Sequence, residues 1–152
     1  LRITHQTGIA DYPRIAEIYA RHRFEAEILE YIEDMPTRFG EADLIVSRSG
    51  ASTVAEVTAA GRPCLLIPLP HATDDHQRKN AEALAARGAA RILDQSKTSG
   101  MNLAAAIQSL ETDRDLLAEM AKASKKLAKP QSTEAIVNLM NQLCRHSSCR
   151  RD

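Results

Sequence analysis

Short runs of apolar and β-prone residues recur at residues 1–5, 24–32, 43–47, 63–68 and 89–93, and between them the apolar period lengthens from that of a strand to that of a helix. The helical stretches are residues 12–23, 35–42, 53–60 and 74–87, with Gly61 and Gly88 where left-handed C-terminal caps are wanted. Strands alternating with helices predict an α/β fold with a parallel sheet covered by helices on both faces. After Gly100 the pattern is helical only, at residues 101–110, 113–129 and, beyond the break at Pro130, 133–144. These helices are expected to form an end-piece, residues 101–145, of the same domain as residues 1–100. Residues 146–152 have no apolar periodicity and read as a mobile tail. No internal repeat or low-complexity linker interrupts the chain.

Composition narrows the range of partners. The 152 residues are 43% apolar, enough for one core, and 20 basic residues balance 20 acidic ones. That balance leaves no long-range field to gather nucleic acid or an anionic membrane surface. The aromatic residues Tyr12, Tyr19, Phe24, Tyr31 and Phe39 are scattered and Trp is absent, so a base-stacking platform has little to be made from. Nucleic acid is therefore not an expected partner. No stretch approaches the roughly 20 apolar residues of a membrane span, and no secretory pattern opens the chain. Cys64, Cys144 and Cys149 form an odd set without framework spacing, which points to a reducing cytoplasm. The chain opens on the strand-like residues 1–5 rather than on Met, so a preceding segment is expected.

In an open parallel sheet, ligands bind beyond the C-terminal ends of the strands. The loops to inspect are residues 5–11, 32–36, 47–53 and 69–77, of which the last two are richest in polar groups. In "SRSGASTVAEVTAAGRP", Gly50 allows close approach of the backbone, and the helix start beyond it offers unpaired N–H groups and the positive end of a dipole. Such a stretch is either a phosphate site or an ordinary turn; it matches neither G-x-x-x-x-G-K-[ST] nor G-x-G-x-x-G. Glu56, three residues after Thr53, is either the partner in a capping box or a carboxylate for sugar hydroxyls, and Asp74 with Gln77 repeats the ambiguity. Asp74, Asp75 and His76, or Glu33 and Asp34, need no metal, because a helix dipole favours carboxylates at its start. Cys144, His146 and Cys149 lack a fourth ligand for zinc. His5 and His71 read as loop residues rather than bases.

Taken in order, "HQTG" after the first strand, "EYIEDM" at residues 30–35, "ADLIVSRSGASTVAEVTAAGRPCLLIPLP" at 42–70, "DDHQRKNA" at 74–81 and "GAA" at 88–90 resemble the donor-binding, C-terminal half of the MurG family. This is the family of bacterial N-acetylglucosaminyltransferases that complete the lipid-linked peptidoglycan precursor. The resemblance covers residues 1–93 closely and the helical end loosely. It implies a Rossmann-like domain, the C-terminal half of a two-domain GT-B glycosyltransferase truncated at its N-terminus, with residues 1–100 as the UDP-sugar-binding region.

For this chain the resemblance implies binding of UDP-N-acetylglucosamine. Glu56 would hold the ribose hydroxyls, the loop of Ser49, Gly50, Ala51, Ser52 and Thr53 would meet the diphosphate, and the backbone of Ile32 would read the uracil edge. Gln77, with His76 beside it, would face the sugar, Asn80 would support the helix start, and His5, Gln6, Thr7 and Gly8 would line the cleft. Neither a cofactor nor a metal is implied. The acceptor site and the base belong to an N-terminal domain without counterpart here, so the chain alone is expected to bind donor without transferring it. The lipid-linked acceptor would be reached through that domain, in a cytoplasmic protein peripheral to the inner membrane. "DDHQ" departs from the double glutamine of some members, which leaves the role of His76 open. A UDP-N-acetylglucosamine 2-epimerase-like enzyme and a non-catalytic donor-binding subunit of a split transferase are the alternative readings; the first would need an acid–base pair that the loops do not offer.

Overall fold

The computed structural model describes residues 1–22, 24–70 and 75–148, with side chains as far as residue 144. The chain divides into two compact units, residues 1–38 and 39–152. In the first, β1 (Ile3–Gln6) and β2 (Ala26–Leu29) pair in parallel, Ile3 opposite Ala26 and Gln6 opposite Leu29, and α1 (Tyr12–His22) connects them. The second strand is shorter than the nine-residue run at 24–32 because side chains and turns take over from the ladder beyond Leu29. Thr7 N–H donates to Leu29 O, Gly8 N–H donates to Glu30 O, and Ile32 N–H donates to the side chain of Gln6. The helix α2 (Met35–Glu41) spans the division between the units.

In the second unit β3 (Ile45–Ser47), β4 (Cys64–Leu66) and β5 (Ala90–Ile92) form a parallel sheet in the order β3-β4-β5. The middle strand is buried at every position, as a central parallel strand covered on both faces must be. The crossovers are α3 (Ala51–Ala60) and α4 (His76–Ala85). Ile45, Val57, Cys64, Leu66, Ala81, Leu84, Ala89 and Ala90 make the core, with Phe39, Val54, Ala123 and Leu127 packed against it. Burial pushes the Cys64 thiol up to about 12, which leaves it an apolar filler. The parallel α/β arrangement is as expected; its ladders fall into a two-stranded and a three-stranded sheet.

The helical end is α5 (Gly100–Glu111), α6 (Arg114–Leu127) and α7 (Ser132–Ser148). Ser99 and Asn102 form a reciprocal capping box on α5, and Asp113 accepts from Leu116 N–H at 3.0 Å to start α6. Residues 146–148, expected in the tail, continue α7, since no Gly or Pro interrupts the helix before residue 149. Arg23 and Cys149 lie outside the described residues, as do His71 and Asp74.

Contacts between α6 and α3 determine how α3 ends. The Ser124 hydroxyl donates to Val57 O at 3.4 Å, and Lys125 Nζ donates to Ala59 O at 2.8 Å, a cation at the negative end of the helix dipole. Gly61 turns the chain at φ 66°, the left-handed C-terminal cap expected there. A Cβ on Gly61 would lie 2.9 Å from Lys125 Cδ and 3.2 Å from Lys125 Cβ. Gly61→Ala should therefore destabilise the protein by about 2 kcal/mol or more, the left-handed penalty plus the displaced lysine stem. Urea denaturation measures this, and in a Lys125→Gly background, compared with Lys125→Gly alone, the cost of Gly61→Ala should be smaller by the steric part.

Candidate functional site

The turn from β3 to α3 is three residues long, Arg48, Ser49 and Gly50, and Ser49 anchors it. Fully buried, at 0% exposure, Ser49 donates its hydroxyl to Gln77 O at 2.8 Å, while Asn80 Nδ2 donates to Ser49 O at 3.0 Å. Two bonds thus tie the turn to the first helical residues of α4. The Ser49 side chain, within the group at residues 49–53, faces the protein and serves the loop's position. Asn80 grips the neighbouring turn.

With the turn held, α3 begins at Ala51, two residues earlier than the pattern predicts. Gly50 is its N-cap at φ −62° and ψ 156°, and no side chain caps the helix. The proposed Thr53–Glu56 capping box is absent because both residues lie inside the helix rather than astride its start. Gly50 O accepts from Val54 N–H at 3.0 Å, so among the described residues the N–H groups of Ala51, Ser52 and Thr53 are the unpaired ones of the first turn. Gly50 has a conformation open to any residue, and a Cβ there would meet only Thr53 Oγ1, at 3.9 Å. Among the described residues, neither strain nor packing calls for glycine at this position. Glu56 is exposed, and its carboxylate has no hydrogen-bond or ion-pair partner among the described residues. It follows Ser52 by four positions and Thr53 by three, on the same face of α3.

The start of α4 is organised differently from the predicted box. Asp75 is the N-cap, in the left-handed conformation at φ 56°, without a side-chain cap bond, and His76 is the exposed first helical residue. Gln77 Oε1 accepts from Leu69 N–H at 3.0 Å instead of returning to its own helix start. Its Oε1 is thereby committed to the loop after β4, and its Nε2 is left as a donor. Arg48, which the sequence reading did not single out, straps the same loop from the other side. Its Nη1 donates to Ile67 O at 3.0 Å, to Pro68 O at 3.4 Å and to Gln95 Oε1 at 2.6 Å. Arg78 in α4 pairs with Asp94 at 3.3 Å, so the turn after β5 is held by arginines from both neighbouring segments. Hydrogen bonds from the Ser96 hydroxyl and backbone hold the Asp94 carboxyl below the usual carboxylate range, and Arg78 adds to this. No local spacing could have revealed these contacts, because their partners lie in separate loops.

In the first unit the "HQTG" residues split their work. His5 Nδ1 and Tyr19 Oη lie 3.3 Å apart, and Tyr19 meets Phe24 edge to face at 6.5 Å between ring centroids. Thr7 Oγ1 lies within hydrogen-bond distance of Gly8 O and Leu29 O, and Gly8 adopts φ 78°. Gln6 Oε1 accepts from Ile32 N–H at 2.8 Å. The main chain of Ile32 therefore has its donor engaged and its carbonyl free among the described residues. Neither those residues nor any others described gather three or more potential metal ligands.

A parallel sheet with helical crossovers and an uncapped helix start beyond β3 belongs to the class of Rossmann-like domains. The model for the glycosyltransferase family 28 C-terminal domain matches residues 1–136, and the chain belongs to that family. Over 140 residues it is 46% identical to the UDP-N-acetylglucosamine--N-acetylmuramyl-(pentapeptide) pyrophosphoryl-undecaprenol N-acetylglucosamine transferase of Citrifermentans bemidjiense, matching 92% of this chain and 39% of that protein. The same-named protein of Geobacter sulfurreducens is 46% identical over 140 residues, 92% of this chain and 38% of its own length. The chain thus spans about two fifths of the curated relatives it matches. The crystal structure of Acinetobacter baumannii MurG superposes with a TM-score of 0.85 at 40% identity, over 93% of this chain and 41% of that one. Spinosyn forosaminyltransferase SpnP, at 18% identity and a TM-score of 0.66, shares the fold.

The two bonds at Ser49 join the same pair of segments, so their loss should not be additive. Ser49→Ala and Asn80→Ala should each destabilise the chain by about 1–2 kcal/mol. The double variant should cost less than the sum, because once one strap is gone the other constrains less. Chemical denaturation of the three variants checks this.

Proposed function

We propose that this chain is the donor-binding part of an inverting glycosyltransferase that takes UDP-N-acetylglucosamine and glycosylates a lipid-linked muramoyl-pentapeptide. The observation that carries the reading is the uncapped first turn of α3, with Gly50 leaving open space before it and the unpartnered Glu56 one turn along. Three unpaired N–H groups and the helix dipole suit a diphosphate; a free carboxylate suits the vicinal hydroxyls of a ribose. Gln77 would use its Nε2 on a hydroxyl of the sugar, since its Oε1 is held by Leu69. His76, first in the same helix, is assigned to the sugar side. In the first unit, the Ile32 main chain would meet the uracil and His5 to Gly8 would border the nucleotide.

In the reaction, the acceptor oxygen would attack the anomeric carbon from the face opposite the bond to the diphosphate, and that bond would break with inversion. Negative charge accumulates on the departing UDP, and the N–H groups of Ala51, Ser52 and Thr53 are pre-aimed donors for it. The acceptor's proton and the lipid-linked acceptor itself would be handled by the rest of the whole protein, peripheral to the cytoplasmic face of the membrane. The names of the relatives support this transferase reading. Among the described residues, no helix is long and apolar enough to cross a membrane.

Binding measurements on two variants test the assignment. Glu56→Ala should weaken UDP by about 2–3 kcal/mol, in the range for hydrogen bonds to a charged group, and barely alter 2′,3′-dideoxy-UDP. Equal losses for both ligands would remove Glu56 from the ribose. Gln77→Ala should weaken UDP-N-acetylglucosamine and leave UDP unchanged by calorimetry; a parallel loss for UDP would move Gln77 away from the sugar.

A further inference from the structure

Gln77 is held through two different atoms. Its main-chain O accepts from the buried Ser49 hydroxyl at 2.8 Å, and its Oε1 accepts from Leu69 N–H at 3.0 Å. The first contact fixes where the residue stands. The second fixes which way its amide is turned, because an N–H can be met only by the carbonyl end. Leu69 N–H shares one planar trans peptide unit with Pro68 O, so the two point to opposite sides of it. Arg48 Nη1 reaches Pro68 O at 3.4 Å and Ile67 O, one residue earlier, at 3.0 Å. The unit is therefore pinned at both ends, its carbonyl by Arg48 and its N–H by Gln77. A flip of this unit would turn Pro68 O toward Gln77, and the amide would have to rotate to present Nε2 to it, leaving Oε1 as the outer end.

Arg48 is long and exposed, and it stays at the loop only while its acceptors outweigh the rotamer freedom it gives up. Of its three acceptors, Gln95 Oε1 in the turn after β5 lies nearest, at 2.6 Å. Gln95 is the first residue of the 3-10 turn Gln95–Lys97, which Asp94 caps. The Asp94 carboxylate accepts from Ser96 N–H at 3.0 Å and from the Ser96 hydroxyl at 2.7 Å, and Arg78 ties it to α4 at 3.3 Å. Gln95 thus offers Arg48 an acceptor on a base that is itself fixed.

We propose that Gln95 is a positioning residue for the sugar: by holding Arg48 against the carbonyls of Ile67 and Pro68, it keeps the Gln77 amide turned with Nε2 outward as a donor. The proposal rests on the reading that Gln77 faces the sugar of the donor. Gln95 itself touches no ligand; it acts through Arg48 and the peptide unit of Pro68 and Leu69. Without it that unit is free to flip, the site holds a mixture of donor and acceptor amides, and apparent affinity for the sugar falls with the fraction correctly turned.

UDP and UDP-N-acetylglucosamine affinities should be measured by calorimetry on the 152-residue chain, for wild type, Gln95→Ala, Gln95→Glu, Gln77→Ala and the double variant Gln95→Ala/Gln77→Ala, with a thermal melt of each. The nucleotide is common to both ligands, so the ratio of the two affinities isolates the sugar. Gln95→Ala should lower the UDP-N-acetylglucosamine:UDP ratio by about fivefold, the size of one modest hydrogen bond, and leave UDP itself unchanged. Gln95→Glu keeps an acceptor for Arg48 and should hold the wild-type ratio, since its added charge acts on both ligands alike. In the Gln77→Ala background Gln95→Ala should lower the ratio no further, because the amide it orients is gone; a merely structural role would cost the same in both backgrounds. An unchanged ratio in Gln95→Ala, a loss in Gln95→Glu as large as in Gln95→Ala, or a further loss in the double variant overturns the role of Gln95, and leaves Gln77 at the sugar where Gln77→Ala lowers the ratio. A ratio unchanged in Gln77→Ala removes Gln77 from the sugar and this proposal with it. Failure of folded wild type to bind either ligand overturns the donor-binding reading itself.

Discussion

The site in the second unit depends on one buried serine. A β-strand ends with its backbone groups unpaired unless the next turn supplies partners, and here the turn is too short to fold back on itself. Ser49 resolves this by donating to α4 and accepting from it, through Gln77 O and Asn80 Nδ2. Both bonds are made by the fully buried Ser49, and leaving either of its groups unpaired would cost about 1–3 kcal/mol. The consequence is geometric. Because the turn is clamped at Ser49, Gly50 needs no side-chain cap to fix the entry angle of α3, and the helix can present its first N–H groups to a ligand.

Around that clamp, the protein uses carbonyl-directed arginine contacts where a loop must be held in place. Arg48 reaches three acceptors in two segments, and Gln77 takes the N–H of Leu69 from the opposite side. The loop after β4 is thus gripped at successive residues by side chains from the turn after β3 and from α4. Arg78–Asp94, with both side chains more than a third exposed, is worth little as a surface ion pair. Its contribution is to register: it sets the turn after β5 against α4, on the other side of which Gln77 and Asn80 do their work.

Much of this was legible in the chain. The order of strands and helices follows from apolar period, and Gly61 announces the end of α3 because a left-handed residue was needed there. The motif order at 42–81 also pointed to the family to which the chain belongs. What escaped was the assignment of roles inside the motifs. Thr-x-x-Glu is as much an interior helical turn as a cap, and only the position of Gly50 decides which. Serine in a glycine-containing loop suggests a phosphate ligand by type, but the Ser49 hydroxyl is aimed by tertiary contact with a helix nearly thirty residues on. Arg48 and Gln95 gave no local signal, and neither did the bond from Ile32 to Gln6, since each meets its partner through the fold. Sequence period reports which face is buried; it does not report which polar atom a buried face has left over.

The charge balance bears on how a diphosphate would be recognised. With 20 basic and 20 acidic residues the chain has no net field to draw an anion from a distance, and at physiological salt such a field would be screened within about 8 Å in any case. Recognition must then be short-ranged and directional. The first turn of α3 meets that requirement: its N–H donors are held by the buried Ser49 clamp, and no cationic side chain needs to be ordered to form them. A lysine performing the same task would lose rotamer freedom on binding and could satisfy any anion. Fixed amides lose nothing further, and they favour an oxyanion that fits their spacing. Under the proposed reading, glycine at position 50, which neither strain nor packing among the described residues requires, keeps a Cβ out of the space before the amides.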